Sequence, residues 1–248
     1  MNIPSRVPKV LCVALVLAVS AVVVACGDAE RDAILTQEKL YSQLNEELVI
    51  RHFFNDRRDG FFLDVGSYHP WESSTTYYLE EKLGWSGIAI DAQVAFAASY
   101  EKHRKNTRFF SYLVGDKSGE SEILYRAGAL SSTDENHLKA FQEHPDVFPG
   151  LADAEAIPVE VPTITLDDLL VREGVEKIDF MSMDIEGSEP PALKGFDIER
   201  FQPALVCIEV GKKTEDAVTA YFAAHDYERL IEYIEYDTIN WYFAPRNQ

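Results

Sequence analysis

The chain has 248 residues, of which 46% are hydrophobic and 26% are charged, and this composition suits one globular domain with a sizeable core. Its formal net charge of −19 at pH 7 excludes the broadly basic surface with which proteins bind nucleic-acid phosphates. We therefore predict no DNA or RNA partner, and a neutral or cationic small substrate fits the acidic surface.

The first 26 residues carry the parts of a secretory signal peptide. Arg6 and Lys9 precede residues 10–25, which are apolar except for one serine. This apolar run is shorter than the roughly 20 residues of a membrane-spanning helix. Cys26 directly follows a small residue, as the acylated cysteine of a bacterial lipoprotein does, and we predict that a lipid on Cys26 anchors the protein to a membrane. The alternatives are an ordinary export signal and an uncleaved anchor that leaves the domain at the cytoplasmic face of the inner membrane.

Residues 27–60 are predicted to be a helical lead-in, and residues 61–248 the main domain. Apolar residues recur at helical spacing in the lead-in: Ile34, Leu35, Leu40, Leu44, Leu48 and Phe53. From Phe61 onward, strand-like and helix-like segments alternate, which predicts an α/β fold with a mostly parallel sheet. The predicted strands are 61–65, 86–91, 108–114, 178–183 and 204–208, and the helices are 74–83, 95–105, 166–173 and 214–225. Residues 227–231 and 240–244 are predicted to close the sheet as an antiparallel pair.

Two segments interrupt this alternation. The turn at 115–119 and a further strand predicted at 120–125 indicate a hairpin excursion. Residues 126–158 are polar and irregular apart from a short helix predicted at 135–143, and an insertion of this length is usually a lid or a substrate loop.

Cysteine usage excludes two kinds of site. Cys12 and Cys26 belong to the N-terminal segment, so Cys207 alone remains for the folded domain. One cysteine can form neither a disulfide framework nor a cysteine-based metal site. Cys207 lies in an apolar strand and is predicted to be a small core residue.

The first predicted strand and its turn indicate a nucleotide-type cofactor site. Asp64 and Gly66 end that strand, and the next strand ends on Asp91, which can accept hydrogen bonds from ribose hydroxyls. A dinucleotide would need further glycine-backed amides for its pyrophosphate, but the chain continues through Ser67 to Pro70, which has no N–H. The pattern therefore favours S-adenosylmethionine, which has no phosphate.

Carboxylates also follow two later strands. Asp184 and Glu209 end the fourth and fifth predicted strands, and the ends of parallel strands meet at one edge of a sheet. Asp184, Glu186 and Glu189 could bind a divalent cation or accept the proton of a substrate hydroxyl. We favour contact with substrate or cofactor over a metal, with His69 as a further candidate, and Glu189 could instead stabilise a helix N-terminus.

Six segments occur in an order that resembles one family, and they are residues 62–67, 74–76, 84–88, 131–133, 165–169 and 178–189. They are similar to the FkbM family of S-adenosylmethionine-dependent methyltransferases. The resemblance covers roughly residues 61–210. The Asp-Ile-Glu-Gly segment from Asp184, together with the Gly-Trp-Ser-Gly-Ile segment from Gly84, is its most specific part.

This resemblance implies a Rossmann-like domain of the class I methyltransferase type. It implies S-adenosylmethionine as cofactor and O-methylation of a sugar or another small hydroxylated molecule. The implied cofactor contacts are Asp64, Gly66 and Ser67 at the methionine end, Asp91 at the ribose and Asp116 near adenine. The implied groups at the transfer centre are Asp184 and Glu186. We predict that one of these two carboxylates is the general base, and His69 is our third candidate.

The N-terminal segment and the main domain indicate different compartments. S-adenosylmethionine is made in the cytoplasm, whereas a lipoprotein faces away from the cytoplasm. A membrane-anchored, non-catalytic protein that binds a glycan or a polar ligand on the same fold is therefore the alternative function. The sequence leaves the methyl acceptor and a metal requirement open.

Overall fold

The computed structural model describes residues 31–246, and the predicted signal peptide and Cys26 lie outside them. The strands are β1 (Phe61–Val65), β2 (Ser86–Ile90), β3 (Thr107–Phe110), β4 (Leu113–Val114), β5 (Ser121–Arg126), β6 (Ile157–Ile164), β7 (Phe180–Met183), β8 (Leu205–Glu209), β9 (Tyr227–Arg229) and β10 (Asn240–Pro245). The helices are α1 (Glu46–Phe54), α2 (Tyr77–Leu83), α3 (Ala97–His103), α4 (His137–Gln142), α5 (Leu166–Arg172), α6 (Glu189–Lys194), α7 (Ile198–Phe201) and α8 (Glu215–Ala224).

Seven strands form the main sheet in the order β3-β2-β1-β7-β8-β10-β9. Pairing is parallel from β3 to β8, and β10 runs antiparallel to both of its neighbours. This confirms the predicted α/β fold with a mostly parallel sheet and a closing antiparallel pair. The strand order reverses between β1 and β7, so the carboxyl ends of these strands flank the crevice where open α/β sheets bind ligands.

Alternation along the strands builds a core on each face of the sheet. Leu63, Met181 and Val206 point to the face covered by α5, α7 and α8. Phe62 and Cys207 point to the opposite face, which the lead-in helix α1 and α2 cover. Cys207 is buried, as predicted. Residues alternate between faces because the side-chain period of a strand is two, and the same alternation sends Asp64 to the face covered by α1 and α2.

The region after β3 differs from the prediction. The single strand predicted at 108–114 is two strands, and β4 leaves the main sheet for a three-stranded sheet of order β4-β6-β5. β4 and β5 do not form a hairpin with each other, because both pair with β6. The turn between them closes on β6, where the N–H groups of Gly115 and Gly119 donate to the carbonyls of Ile164 and Thr163.

Hydroxyl groups and a glycine define the ends of helices α2 and α5. The Thr165 hydroxyl accepts from the Asp168 N–H at 3.1 Å and caps α5. The helix predicted from residue 74 begins at Tyr77, and Ser74 precedes it and accepts from the Tyr77 N–H. Gly84 ends this helix in the left-handed conformation, at φ +74°.

Gly66 occupies a position that no other residue can fill. An added Cβ would lie 1.7 Å from the Asp184 backbone oxygen, and φ is +82°. The left-handed conformation and the overpacking together predict that Gly66→Ala lowers the free energy of unfolding by about 2–4 kcal/mol in urea denaturation. Gly119→Ala is the matched control, because φ is +79° and nothing lies within 4 Å of its added Cβ. We expect a loss of about 1 kcal/mol there, and equal losses at the two positions would contradict this account of Gly66.

Candidate functional site

The turn after β1 joins the ends of three strands. The N–H groups of Gly66 and Ser67 both donate to the Ile90 carbonyl at the end of β2, at 2.8 and 3.0 Å. On the other side, the Asp184 N–H donates to the Val65 carbonyl at 2.9 Å. The turn is therefore held between β2 and β7, and glycine lets the two backbones approach closely.

Asp91 stands at the end of β2 and is nearly buried. Its carboxylate accepts from the N–H of Tyr68 at 2.9 Å and from the N–H of Gln93 at 2.7 Å. Burial raises the pKa of Asp91 to about 6, and these backbone hydrogen bonds oppose the shift. Each oxygen can accept a second hydrogen bond, so the carboxylate can still bind a ligand hydroxyl.

Two cavities meet at this edge of the sheet. The main cleft has a polar wall formed by Gly66, Asp91, Asp184 and Glu186, and its far end is apolar. The apolar end is formed by Ile90, Ala92, Tyr112, Leu113, Val114 and Leu124. The side cavity extends toward α1 and is lined by Gln43, Glu46, Asp64, Ser73, Thr75 and Asn240. Gly66, Tyr68, Asp184 and Glu186 line both cavities and mark their junction.

The carboxyl of Asp184, at the junction of the cavities, interacts with the carboxyl of Glu209. Asp184 as a residue is exposed, but the surrounding protein desolvates its carboxyl. This desolvation and the charges of Glu209 and Glu186 raise the pKa of Asp184 well above its usual range. Burial, followed by the charge of Glu186, raises the pKa of Glu209 to about 7. Both shifts favour the protonated forms of these two carboxyls.

Glu186 has a different partner, which the sequence interpretation missed. Its Oε2 lies 2.7 Å from Nε2 of His137, 49 residues away on α4. The hydrogen bond to Glu186 is the main cause that raises the pKa of His137. Glu189 supports the same loop, because its carboxylate accepts from the N–H groups of Ile185 and Gly187. Glu186 is thus the cleft carboxylate that a histidine orients.

The chain is similar to a known protein family and to a solved structure. Residues 64–236 match the family described as the methyltransferase FkbM domain. The chain belongs to the FkbM methyltransferase family. A solved structure, a TehB-like SAM-dependent methyltransferase from Corynebacterium glutamicum ATCC 13032, is 13% identical, with a TM-score of 0.45. That alignment covers 87% of this chain and 93% of the other. No curated protein sequence matches this chain significantly.

S-adenosylmethionine is the cofactor of this FkbM methyltransferase, and residues of the main cleft and of its junction with the side cavity fit it. Asp91 would hold the ribose hydroxyls, and the apolar end beyond it suits adenine. The Gly66 turn and Asp64 would hold the methionine end. Ser67 Oγ is buried and is the one side-chain N or O atom in residues 31–246 that is buried without a hydrogen-bond partner. A ligand in the adjoining cavity could satisfy this hydroxyl, whose burial unpaired is otherwise unfavourable.

The structure does not bring two predicted residues to the cavities. His69 accepts from the Glu72 N–H at 3.1 Å and packs edge-on against Trp71. Asp116 is exposed in the turn after β4, and neither residue lines the main cleft or the side cavity. Asp116 lies away from the cavities because the main-sheet strand β3 ends at Phe110 and the chain then enters the second sheet. The predicted role of Asp116 therefore rests on the resemblance, and that of His69 rests on the sequence interpretation.

Within residues 31–246, no group of three or more His, Cys, Asp or Glu side chains is arranged to hold a metal ion. In the same part of the chain, every helix is too short or too polar to cross a membrane.

Asp91 allows a direct test of the cofactor site. Asp91→Ala removes the acceptor for the ribose hydroxyls, and we expect S-adenosylmethionine affinity to fall by about 1.5–3 kcal/mol, the value of a hydrogen bond to a charged group. Isothermal titration measures this change. Asp116→Ala makes the same change at an exposed acid outside the cleft, and it should leave the affinity within about twofold. An unaltered affinity in Asp91→Ala would remove Asp91 from the site.

Proposed function

We propose that this FkbM methyltransferase transfers a methyl group to a hydroxyl of a sugar or another small hydroxylated molecule. The observation that carries the proposal is the junction of the two cavities. The side cavity meets the main cleft at Asp184 and Glu186, and its wall presents amide and hydroxyl groups of Gln43, Ser73 and Asn240. Such groups can hydrogen-bond several hydroxyls of one acceptor and fix its orientation.

Methyl transfer requires little from the protein beyond correct positioning of the acceptor and a general base. The bound cofactor supplies a methyl group that its sulfonium has already activated. The residues must hold the acceptor oxygen in line with that methyl group and take up the hydroxyl proton. An oxygen–carbon bond forms as the sulfur–carbon bond breaks, S-adenosylhomocysteine is the leaving group, and Glu186 receives the proton.

Glu186 is better suited than Asp184 to act as the general base. Desolvation and the charges of neighbouring carboxylates raise the pKa of Asp184 and so favour its protonated form. A protonated Asp184 can donate a hydrogen bond to the acceptor but cannot take up a proton. Glu186 lines both cavities, and its carboxylate is oriented by His137.

The charge of the cavities supports a neutral or amine-bearing acceptor. Among the described residues, neither cavity is lined by lysine, arginine or histidine. Glu46 and Glu186 place carboxylates on the side-cavity wall. A phosphorylated or carboxylated acceptor would lack a cationic partner there, and its charge would be repelled.

An acceptor panel tests this proposal. The purified protein is incubated with S-adenosylmethionine carrying a labelled methyl group and with neutral sugars, amino sugars and sugar phosphates. We expect label in neutral or amino sugars and none in sugar phosphates. Labelling of sugar phosphates alone would contradict the proposed acceptor class. Cofactor binding without transfer to any hydroxylated compound would favour the non-catalytic alternative.

We propose further that Cys26 carries a lipid that holds the protein at a membrane. The support is the sequence alone, in which a basic start and an apolar run precede a cysteine after a small residue. Cys26→Ser should move the protein from the membrane fraction to the soluble fraction. Unchanged fractionation would argue against lipidation and would favour an uncleaved anchor, with the methyltransferase domain on the cytoplasmic side where the cofactor is made.

A further inference from the structure

The insertion between β5 and β6 reaches over the junction of the cavities. Its first residues, Ala129 and Leu130, line the side cavity, and Ser132 lines the main cleft. The insertion continues into α4, a six-residue helix that begins with His137. The insertion therefore contributes a wall to both cavities before it reaches His137.

Three side-chain contacts tie this insertion to the loop after β7. The Ser132 hydroxyl donates to the Glu186 carbonyl at 2.9 Å. The hydroxyls of Thr133 and Ser188 are 3.1 Å apart. His137 Nε2 donates to Glu186 Oε2 at 2.7 Å. Two of these contacts meet at Glu186, and the one from His137 involves a charged group, which makes it the strongest of the three.

Glu186 needs such support because its backbone is strained. Its φ is +54°, in the left-handed region that a residue with a side chain rarely adopts. A conformation of this kind persists only where surrounding contacts hold it, and it concentrates at functional sites. The contacts from Ser132 and His137 fix the backbone and the carboxylate of Glu186, respectively.

We propose that His137 is a positioning residue, which holds the Glu186 carboxylate at the junction and keeps the insertion closed over both cavities. This inference rests on the proposed function, in which Glu186 is the base. His137 itself lines neither cavity, so it acts through Glu186 and not on the acceptor.

The contact also makes closure depend on pH. The charged groups that face His137 are Glu186, Glu209 and Asp134, and Lys213 lies 3.6 Å from Asp134 on its outer side. The ring of Phe141 packs beside the imidazole. Glu186 raises the pKa of His137, so the stabilisation is complete below the ordinary histidine pKa of about 6.5 and is lost as pH rises through the raised value.

Hydrogen exchange of residues 128–144 tests the inference without a methyl acceptor. The full chain is compared with His137→Ala, His137→Gln and the control His144→Ala, which removes an exposed histidine from the same insertion. After correction for the intrinsic rates, we expect exchange about tenfold faster or more in His137→Ala at pH 6. His144→Ala should match the unmodified chain.

The glutamine variant separates positioning from folding, because its side-chain N–H can donate to Glu186 at every pH. We expect its exchange to stay slow and independent of pH between 6 and 8.5, whereas exchange in the unmodified chain accelerates over that range. With an acceptor, His137→Ala should lower kcat and leave the KM for the cofactor nearly unchanged, and His137→Gln should recover most of kcat.

Two results would overturn the inference: exchange in His137→Ala equal to that of the unmodified chain, or the same pH dependence in His137→Gln as in the unmodified chain. A failure to find any methyl acceptor would count against the proposed function and would leave the exchange result to decide the role of His137 in closure.

Discussion

Glu186→Gln is expected to lower kcat by about 10²- to 10⁴-fold, the range that general base catalysis contributes. The amide keeps the size of the side chain and can still accept the hydrogen bond from His137, but it cannot take up the hydroxyl proton. Cofactor affinity should change little, because the proposed role of Glu186 is on the acceptor side. Release of S-adenosylhomocysteine with the acceptor found by the panel measures kcat, and titration measures the affinity.

Asp184→Asn is the matched comparison for Glu186→Gln. Because desolvation and neighbouring charges favour the protonated form of Asp184, asparagine resembles that form and keeps a hydrogen-bond donor at this position. We expect kcat to fall by less than about tenfold in this variant. A larger loss in Asp184→Asn than in Glu186→Gln would assign the base to Asp184 and would contradict the proposed role of Glu186.

Arg104→Met is expected to lower the free energy of unfolding by about 3–5 kcal/mol, the cost of leaving a buried charge without its partner. The Arg104 side chain is 0% exposed, and its Nε donates to Glu80 Oε2 at 2.6 Å. It also donates to the Pro70 carbonyl and to the hydroxyl of Thr76, which in turn donates to Asp64 at 2.6 Å. The loss of Arg104 therefore leaves the buried Glu80 without its partner and weakens the hydrogen-bond network that holds Asp64 through Thr76.

Arg108→Met is the control for Arg104→Met. Arg108 also pairs with a glutamate, Glu173, at 2.7 Å, but its side chain is 48% exposed. An exposed pair contributes about 0–1 kcal/mol, so urea denaturation should show only a small loss. The double change Arg104→Met with Glu80→Gln should recover part of the loss, because it removes the stranded charge. Similar losses in the two arginine variants would contradict the account of this buried network.

The sequence predicted those parts of the fold and site that local patterns control. Alternating apolar runs predicted the strands, and acids at strand ends predicted that Asp64, Asp91, Asp184 and Glu209 gather at one edge of the sheet. The Thr165 cap was predictable because capping depends on the hydroxyl and the next three residues alone.

Features that depend on contacts between distant segments could not be predicted. His137 lies in a polar insertion without periodicity, and its contact with Glu186 exists only because the insertion folds back over the loop after β7. The break between β3 and β4 follows from competition between two sheets for one apolar run, and residues 108–114 give no sign of it. Arg104 directly follows α3, and its partner is not the nearby Glu101 but Glu80, which lies 24 residues earlier on α2.

The most direct test of the account is isothermal titration of the purified protein with S-adenosylmethionine. The main cleft has an acid for the ribose and an apolar end for adenine, and the side cavity that joins it has the buried Ser67 hydroxyl, which has no partner among residues 31–246. We predict saturable binding of one cofactor per chain, with affinity reduced by Asp91→Ala and preserved in Asp116→Ala. The absence of binding up to millimolar concentrations would contradict a cofactor site in this cleft and, with it, the proposed methyl transfer.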